Sequence, residues 1–214
     1  IAAAMVDQAE AVFFAGGNQE DYVRWKGELI DAVARVYERG GVVGGTSAGL
    51  AILGEFVYDS IAANAADEAS VESSDATYDP YEPEISFTSD FFHFPPLAGT
   101  ITDTHFANRD RFGRRAAFMA RQIGDARVTS DPPRILGIGV DEMNAVVIDR
   151  EGIGRLLQQE PGTGAAFLIL GGQPDEISDQ EALYYRDLLV TRLDDPSQLF
   201  DFNRWCGTGP TYEV

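Results

Sequence analysis

The chain has 214 residues, of which 35 are acidic and 16 basic, giving a formal charge of −19 at pH 7. A composition of 44% hydrophobic and 11% aromatic residues can bury a core, which excludes a disordered polymer. So acidic a chain disfavours nucleic acid or an anionic membrane as partner, and no apolar run approaches the roughly 18 residues of a membrane span.

Cys206 is the only cysteine, and His93 and His105 are the only histidines. Neither an internal disulfide nor a thiolate or multi-histidine metal site is expected, and no cofactor is called for. Ile1 to Met5 lack the basic flank and long apolar core of a secretory leader, which leans toward the cytoplasm. The chain has no initiator Met and reaches its first strand early, so upstream strands of the fold are expected to be missing.

In chain order, Ala11 to Ala15 reads as a buried strand stopped by Gly16-Gly17. Residues 20–39 carry Tyr22, Trp25, Leu29, Val33 and Val36 at helical spacing, with Asn18 able to cap the start and Gly40-Gly41 the end. Val42 to Gly45 follows as a second buried strand, and Ala48 to Leu53 as a second helix. This order implies a right-handed parallel α/β unit. Residues 55–96 are acidic, rich in Ser and Ala, and close on Pro80, Pro83, Pro95 and Pro96, which predicts a long loop or insertion. Leu97 to Thr104 resumes as a strand, and 109–123 as an arginine-rich helix. Strands follow at 134–140, 144–148, 165–170 and 184–193. With no repeat and no linker, residues 1–214 read as a single domain.

The charges are unevenly placed. No Lys or Arg lies between Arg39 and Arg109, whereas seven arginines fall within 109–134. The acids suit a solvated, self-repelling surface. The arginines fit either a helix face that neutralises those acids or a pocket for an anionic ligand.

Gly45-Thr46-Ser47-Ala48-Gly49 fits G-x-S-x-G between a predicted strand and a predicted helix. A nucleophile on so sharp a turn needs small neighbours, and the helix start supplies N–H groups for an oxyanion. The plainer alternative is a glycine-rich turn in which Ser47 caps the helix. Its base must be His93 or His105. His93 sits in an aromatic stretch, Phe91 to Phe94, whereas His105 ends a strand, where reactive groups gather in open α/β sheets. His105 is therefore the expected partner. The N–H groups of Gly17 and Ala48 are the candidate oxyanion hole, although Gly16-Gly17 would also serve as a simple tight turn.

Four stretches resemble the cyanophycinase and aspartyl-dipeptidase group of serine peptidases, a peptidase E-like family. They are Phe13 to Gln19; Gly44 to Gly49; Asp103-Thr104-His105-Phe106-Ala107-Asn108-Arg109-Asp110-Arg111-Phe112-Gly113-Arg114; and Leu136 to Glu142. The resemblance implies a flavodoxin-like three-layer α/β sandwich related to class I glutamine amidotransferases, with a parallel sheet and helices on both faces. It implies Ser47 as nucleophile and His105 as base, with Gln19, Asp103, Arg109, Arg111 and Arg114 lining the substrate pocket. Thr104 departs from the family's Gln, and the segment between Ser47 and His105 is longer than in the cyanobacterial enzymes. The family draws its third catalytic acid from that segment, where Asp75, after Ser73-Ser74, fits best. Glu72, Glu68 and Asp67 are the alternatives.

The expected substrate is a small peptide or cyanophycin-like chain, such as β-Asp-Arg, cleaved through an acyl-enzyme on Ser47. An Asp-X dipeptidase, a non-catalytic binding module on the same fold, and an α/β-hydrolase esterase stand as alternatives. A homodimer is compatible with the chain.

Overall fold

In the computed structural model, which describes residues 1–25, 27–66 and 70–214, helix α1 (Ala2–Val6) leads into strand β1 (Ala11–Phe14). The helix expected over 20–39 is two helices, α2 (Gln19–Val23) and α3 (Glu28–Glu38). Asn18 caps α2 by accepting from the Glu20 N–H at 3.1 Å. Gly27, at φ 63°, turns the chain between them. Helix α3 buries Ala32, Val33 and Val36, one stripe of its amphipathic spacing. Strand β2 (Val42–Gly45) then pairs in parallel with β1, Ala11 opposite Val42 and Phe14 opposite Gly45.

Helix α4 (Ala48–Ala51) follows. The segment expected to be a loop holds β3 (Phe56–Tyr58), α5 (Ile61–Ala65), α6 (Ser73–Tyr78), β4 (Phe87–Ser89) and a 3₁₀ turn at Pro95–Leu97. Elements of three to six residues are too short for periodicity to reveal. Local side-chain bonds hold them. Buried Asp59 accepts from Ile61 N–H at 3.0 Å, Thr88 Oγ1 at 2.8 Å and Ser86 Oγ at 2.5 Å, tying α5 to the β3–β4 hairpin.

The rest of the chain runs β5 (Thr100–Thr104), α7 (Phe112–Gly124), β6 (Ile135–Val140), β7 (Asn144–Ile148), β8 (Ile153–Gln158), β9 (Ala166–Gly171), β10 (Leu189–Leu193), β11 (Leu199–Asp201), β12 (Cys206–Gly207) and β13 (Thr211–Glu213). The largest sheet has the order β13-β10-β9-β6-β5-β3-β4. Its centre, β3-β5-β6, is parallel, as is the separate β1-β2 pair. The expected parallel sheet is found at the centre only: β4 pairs antiparallel on one side, and β9, β10 and β13 do so on the other. The antiparallel hairpin β7–β8 is inserted between β6 and β9, and the chain returns from it beside β6 in the opposite direction instead of crossing over the sheet through a helix.

Strand alternation separates the two faces. Ile101, Ile135 and Ile169 point to a core shared with Ala117, Phe118 and Met119 of α7. Leu136, Ile138 and Leu168 point the other way, onto Leu156, Leu193, Phe200 and Phe202. That second face is covered by the four-stranded sheet β12-β11-β8-β7 and by α4, so helices do not dominate both faces as expected. Each aliphatic side chain fully buried between these layers contributes about 1.5–3 kcal/mol relative to exposure. The architecture is α/β and layered, and the C-terminal ends of β2, β5 and β6 carry the residues described next. Among the described residues, no helix is long and apolar enough to cross a membrane.

Candidate active site

Ser47 occupies the turn between β2 and α4 with φ 53° and ψ −124°, a conformation that L residues rarely adopt. The turn closes tightly. A Cβ on Gly45 would collide with the Gly49 carbonyl, and one on Gly49 with the Phe14 carbonyl. This is the steric reason for small residues on both sides of Ser47. Ala48 opens α4, so its N–H precedes any intrahelical acceptor.

His105 lies one residue past β5, also at positive φ (51°). Its Nε2 is 3.1 Å from Ser47 Oγ, and its Nδ1 is 2.5 Å from Glu142 Oε1. Glu142 stands two residues past β6, the parallel neighbour of β5, whose Val140 pairs with Thr104. Adjacent strand ends therefore deliver imidazole and carboxylate side by side. Asp141 fixes the loops by accepting from Ala107 N–H at 2.8 Å and Ala165 N–H at 2.9 Å. The hydrogen bond to His105 holds the Glu142 carboxyl below the usual glutamate range, with Asn108 and Arg109 adding to the effect.

Asp75 is not at this histidine. It is exposed on α6, where Ser74 Oγ lies 3.4 Å from its carboxylate, and both imidazole nitrogens are engaged by Ser47 and Glu142. Glu72 is exposed at the start of the same helix, and Asp67 and Glu68 lie outside the described residues. Among the described residues, the carboxylate beside His105 thus comes from after the histidine. His93 is exposed in a shallow cleft beside Glu55, Phe92 and Phe94, away from Ser47.

A cavity of about 210 Å³ opens over Ser47 and His105 and is lined by Gly17, Ala48, Gln19, Arg109 and Arg111. Asn18, Thr104 and three residues of the segment expected to be a loop, Ser60, Asn64 and Ser70, also line it. Sequence reasoning missed those three and Glu142. For Glu142 a signal existed, since carboxyl ends of neighbouring parallel strands are where α/β sheets gather their reactive groups.

Asp103 and Arg114 do not line the cavity. Along β5, Ile101 and Asp103 face α7, while Thr102 faces α4 and donates to the Leu50 carbonyl at 2.9 Å. Asp103 is buried and accepts from Arg111 Nη1 (3.0 Å), from Arg114 through Nε (2.9 Å) and Nη2 (2.7 Å), and from its own neighbour, the Thr104 N–H (2.9 Å). Arg115 Nη2 stands 3.2 Å away. Burial alone would raise the Asp103 carboxyl, but Arg114, Arg115 and Arg111 hold it far below the usual carboxylate range. Arg114 also donates to Ser70 Oγ at 2.7 Å and to the Val71 carbonyl at 3.1 Å, fastening the cavity wall to the strand that carries His105.

No protein-family model matches the chain. Cyanophycinases of Synechococcus elongatus and Thermosynechococcus vestitus are each 27% identical to it over 169 residues, which cover 78% of this chain and 43% of theirs. The chain therefore spans less than half the length of these curated relatives. Among solved structures, a peptidase from an acI-B1 actinobacterium is similar over 99% of this chain and 62% of its own, with 13% identity and a TM-score of 0.42. The curated relatives support the resemblance to the cyanophycinase and peptidase E-like group, at a distant level.

Proposed function

We propose that this chain carries the active centre of a serine peptidase that cleaves the bond joining an aspartyl residue to its neighbour. The observation that carries the reading is the continuous Glu142–His105–Ser47 hydrogen-bonded chain on a strained strand-to-helix turn.

His105 Nε2 takes the Ser47 hydroxyl proton as Oγ attacks the scissile carbonyl carbon. The Gly17 and Ala48 N–H groups face the developing oxyanion. The tetrahedral intermediate collapses as His105 passes the proton to the leaving amine, leaving an acyl-enzyme on Ser47. Water, deprotonated by the same imidazole, attacks the ester, and Ser47 Oγ recovers its proton. Glu142 holds the tautomer with Nε2 free and stabilises the imidazolium, the role that the family resemblance implied for Asp75.

Arg109 and Arg111 line the cavity, and Arg is suited to bidentate capture of a carboxylate. A β-aspartyl isopeptide such as β-Asp-Arg fits this description. A second reading, an Asp-X dipeptidase, is favoured by the absence of acids from the described part of the wall. Among the described residues no carboxylate lines the cavity to receive an arginine leaving group. Hydrolysis of β-Asp-Arg compared with α-Asp-X dipeptides, with Ser47→Ala as control, separates the two. Cleavage of neither, with Ser47→Ala indistinguishable from wild type, favours a non-catalytic binding module.

A further inference from the structure

Among the described residues Arg115 is the largest fully buried side chain, about 1% exposed. Only its Nη2 has a partner, Asp103 Oδ2 at 3.2 Å, while Nε and Nη1 have none. Desolvation, partly offset by Asp103, brings its guanidinium down to about 10. Besides Asp103 and the like-charged Arg114 and Arg111, Arg115 meets apolar groups: Phe118 lies under the guanidinium, and the side-chain stem passes against Gly137, where a Cβ would crowd it. Burying a charge with unpartnered donors is costly, and an apolar side chain of similar volume in such a place is often neutral or stabilising.

Asp103 does not need it. Arg111, Arg114 and the Thr104 N–H already occupy both carboxylate oxygens. Among the described residues three guanidiniums share this one carboxylate, and exposed Glu72 adds only the weakest of the attractions on Arg114, so the cluster keeps an excess of positive charge inside the protein. Arg114 and Arg115 are sealed from solvent, and the cluster reaches the cavity only at Arg111. Arg111 Nη1 is held by Asp103 Oδ1 and by the Thr104 carbonyl at 2.8 Å. Its Nε and Nη2 have no protein acceptor among the described residues.

We propose that Arg115 is a remote positioning residue for a carboxylate-binding subsite at Arg111 and Arg109. It occupies Asp103 Oδ2 from behind, so that the cluster's uncompensated charge faces the cavity and is completed by a ligand carboxylate. Local rules broken at a cost to stability are expected where function requires them. The inference rests on reading the cavity as an aspartyl site, but it concerns binding and needs no turnover.

Calorimetric titration of L-aspartate into wild type, Arg115→Met, Arg115→Gln and Arg115→Lys tests it, with thermal melts of all four. Both neutral variants should fold, melt no lower than wild type, and bind aspartate about five- to ten-fold more weakly, as expected for one removed unit charge at an effective dielectric near 20. Arg115→Lys, which keeps the charge, should stay within about three-fold of wild type. Unchanged aspartate affinity in the neutral variants, an equal loss in Arg115→Lys, or failure of both neutral variants to fold would each overturn the inference while leaving the subsite in place. No aspartate binding by wild type would overturn the aspartyl-site reading, and this inference with it.

Discussion

Glu142 Oε1 and His105 Nδ1 lie 2.5 Å apart although 37 positions separate them in the chain. Two adjacent parallel strands bring them together, and the pairing leaves Nε2 to face Ser47 Oγ. If this contact orients the base, Glu142→Gln should lower kcat about a hundred-fold or more with a smaller change in KM. Asp75→Ala, which alters an exposed helix position, should leave kcat within about two-fold. Steady-state kinetics on the same dipeptide decide the matter, and the reverse pattern would return the role to Asp75.

The arginines should divide by position. Arg111→Lys keeps the charge at the cavity but loses the planar fork, so KM for an acidic substrate should rise about ten-fold. Arg114→Lys breaks a buried network of Asp103, Ser70 and Val71 and should cost about 3–5 kcal/mol of stability. For a chain of this size that lowers Tm by roughly 10 °C. A melt in which Arg111→Lys loses more than Arg114→Lys would contradict this division.

Acid should attack the same cluster. The folded-state pKa of Asp103 lies far below that of an unfolded aspartate, about 3.9, so the unfolded chain binds more protons between the two values. Its contribution to stability is complete above about pH 4 and is lost as pH falls toward the folded value. Wild type should therefore destabilise steeply below about pH 4 in denaturant titrations. Asp103→Asn should be less stable at neutral pH and show a shallower acid slope. Equal slopes would mean that other carboxylates govern acid unfolding.

The turn at Ser47 has no room for a methyl group. Gly49→Ala would drive a Cβ into the Phe14 carbonyl and displace β1 from α4. Loss of activity should accompany a stability loss of about 2 kcal/mol or more. A crystal structure of Gly49→Ala with an undisturbed Ser47 and full activity would contradict the steric account.

Much of this site was legible in residue types and spacing. The small residues around Ser47 mark the turn, and His105 stands out at a strand end where His93 does not. The parity of β5 could have placed Asp103 away from the cavity, since Ile101 on the same face is an evident core residue. Glu142 was legible only through the pairing of β5 with β6, because nothing local to Asp141-Glu142 distinguishes a catalytic carboxylate from a turn. The wall residues Ser60 and Asn64 were hidden because α5 is too short for its period to repeat, and Ser70 because it lies between elements. The antiparallel strands β11 to β13 escaped because they have only two or three residues, and β8 because Gly154 and the adjacent Leu156-Leu157 break its apolar alternation.

The central claim is that Ser47 is a nucleophile activated by His105. Incubation of the folded protein with a fluorophosphonate, followed by peptide mass analysis, tests it most directly. The account predicts one stoichiometric adduct on the peptide containing Ser47, absent in Ser47→Ala and formed at least a hundred-fold more slowly in His105→Ala. An unmodified Ser47 in folded wild type, or labelling that proceeds at the same rate without His105, would contradict it.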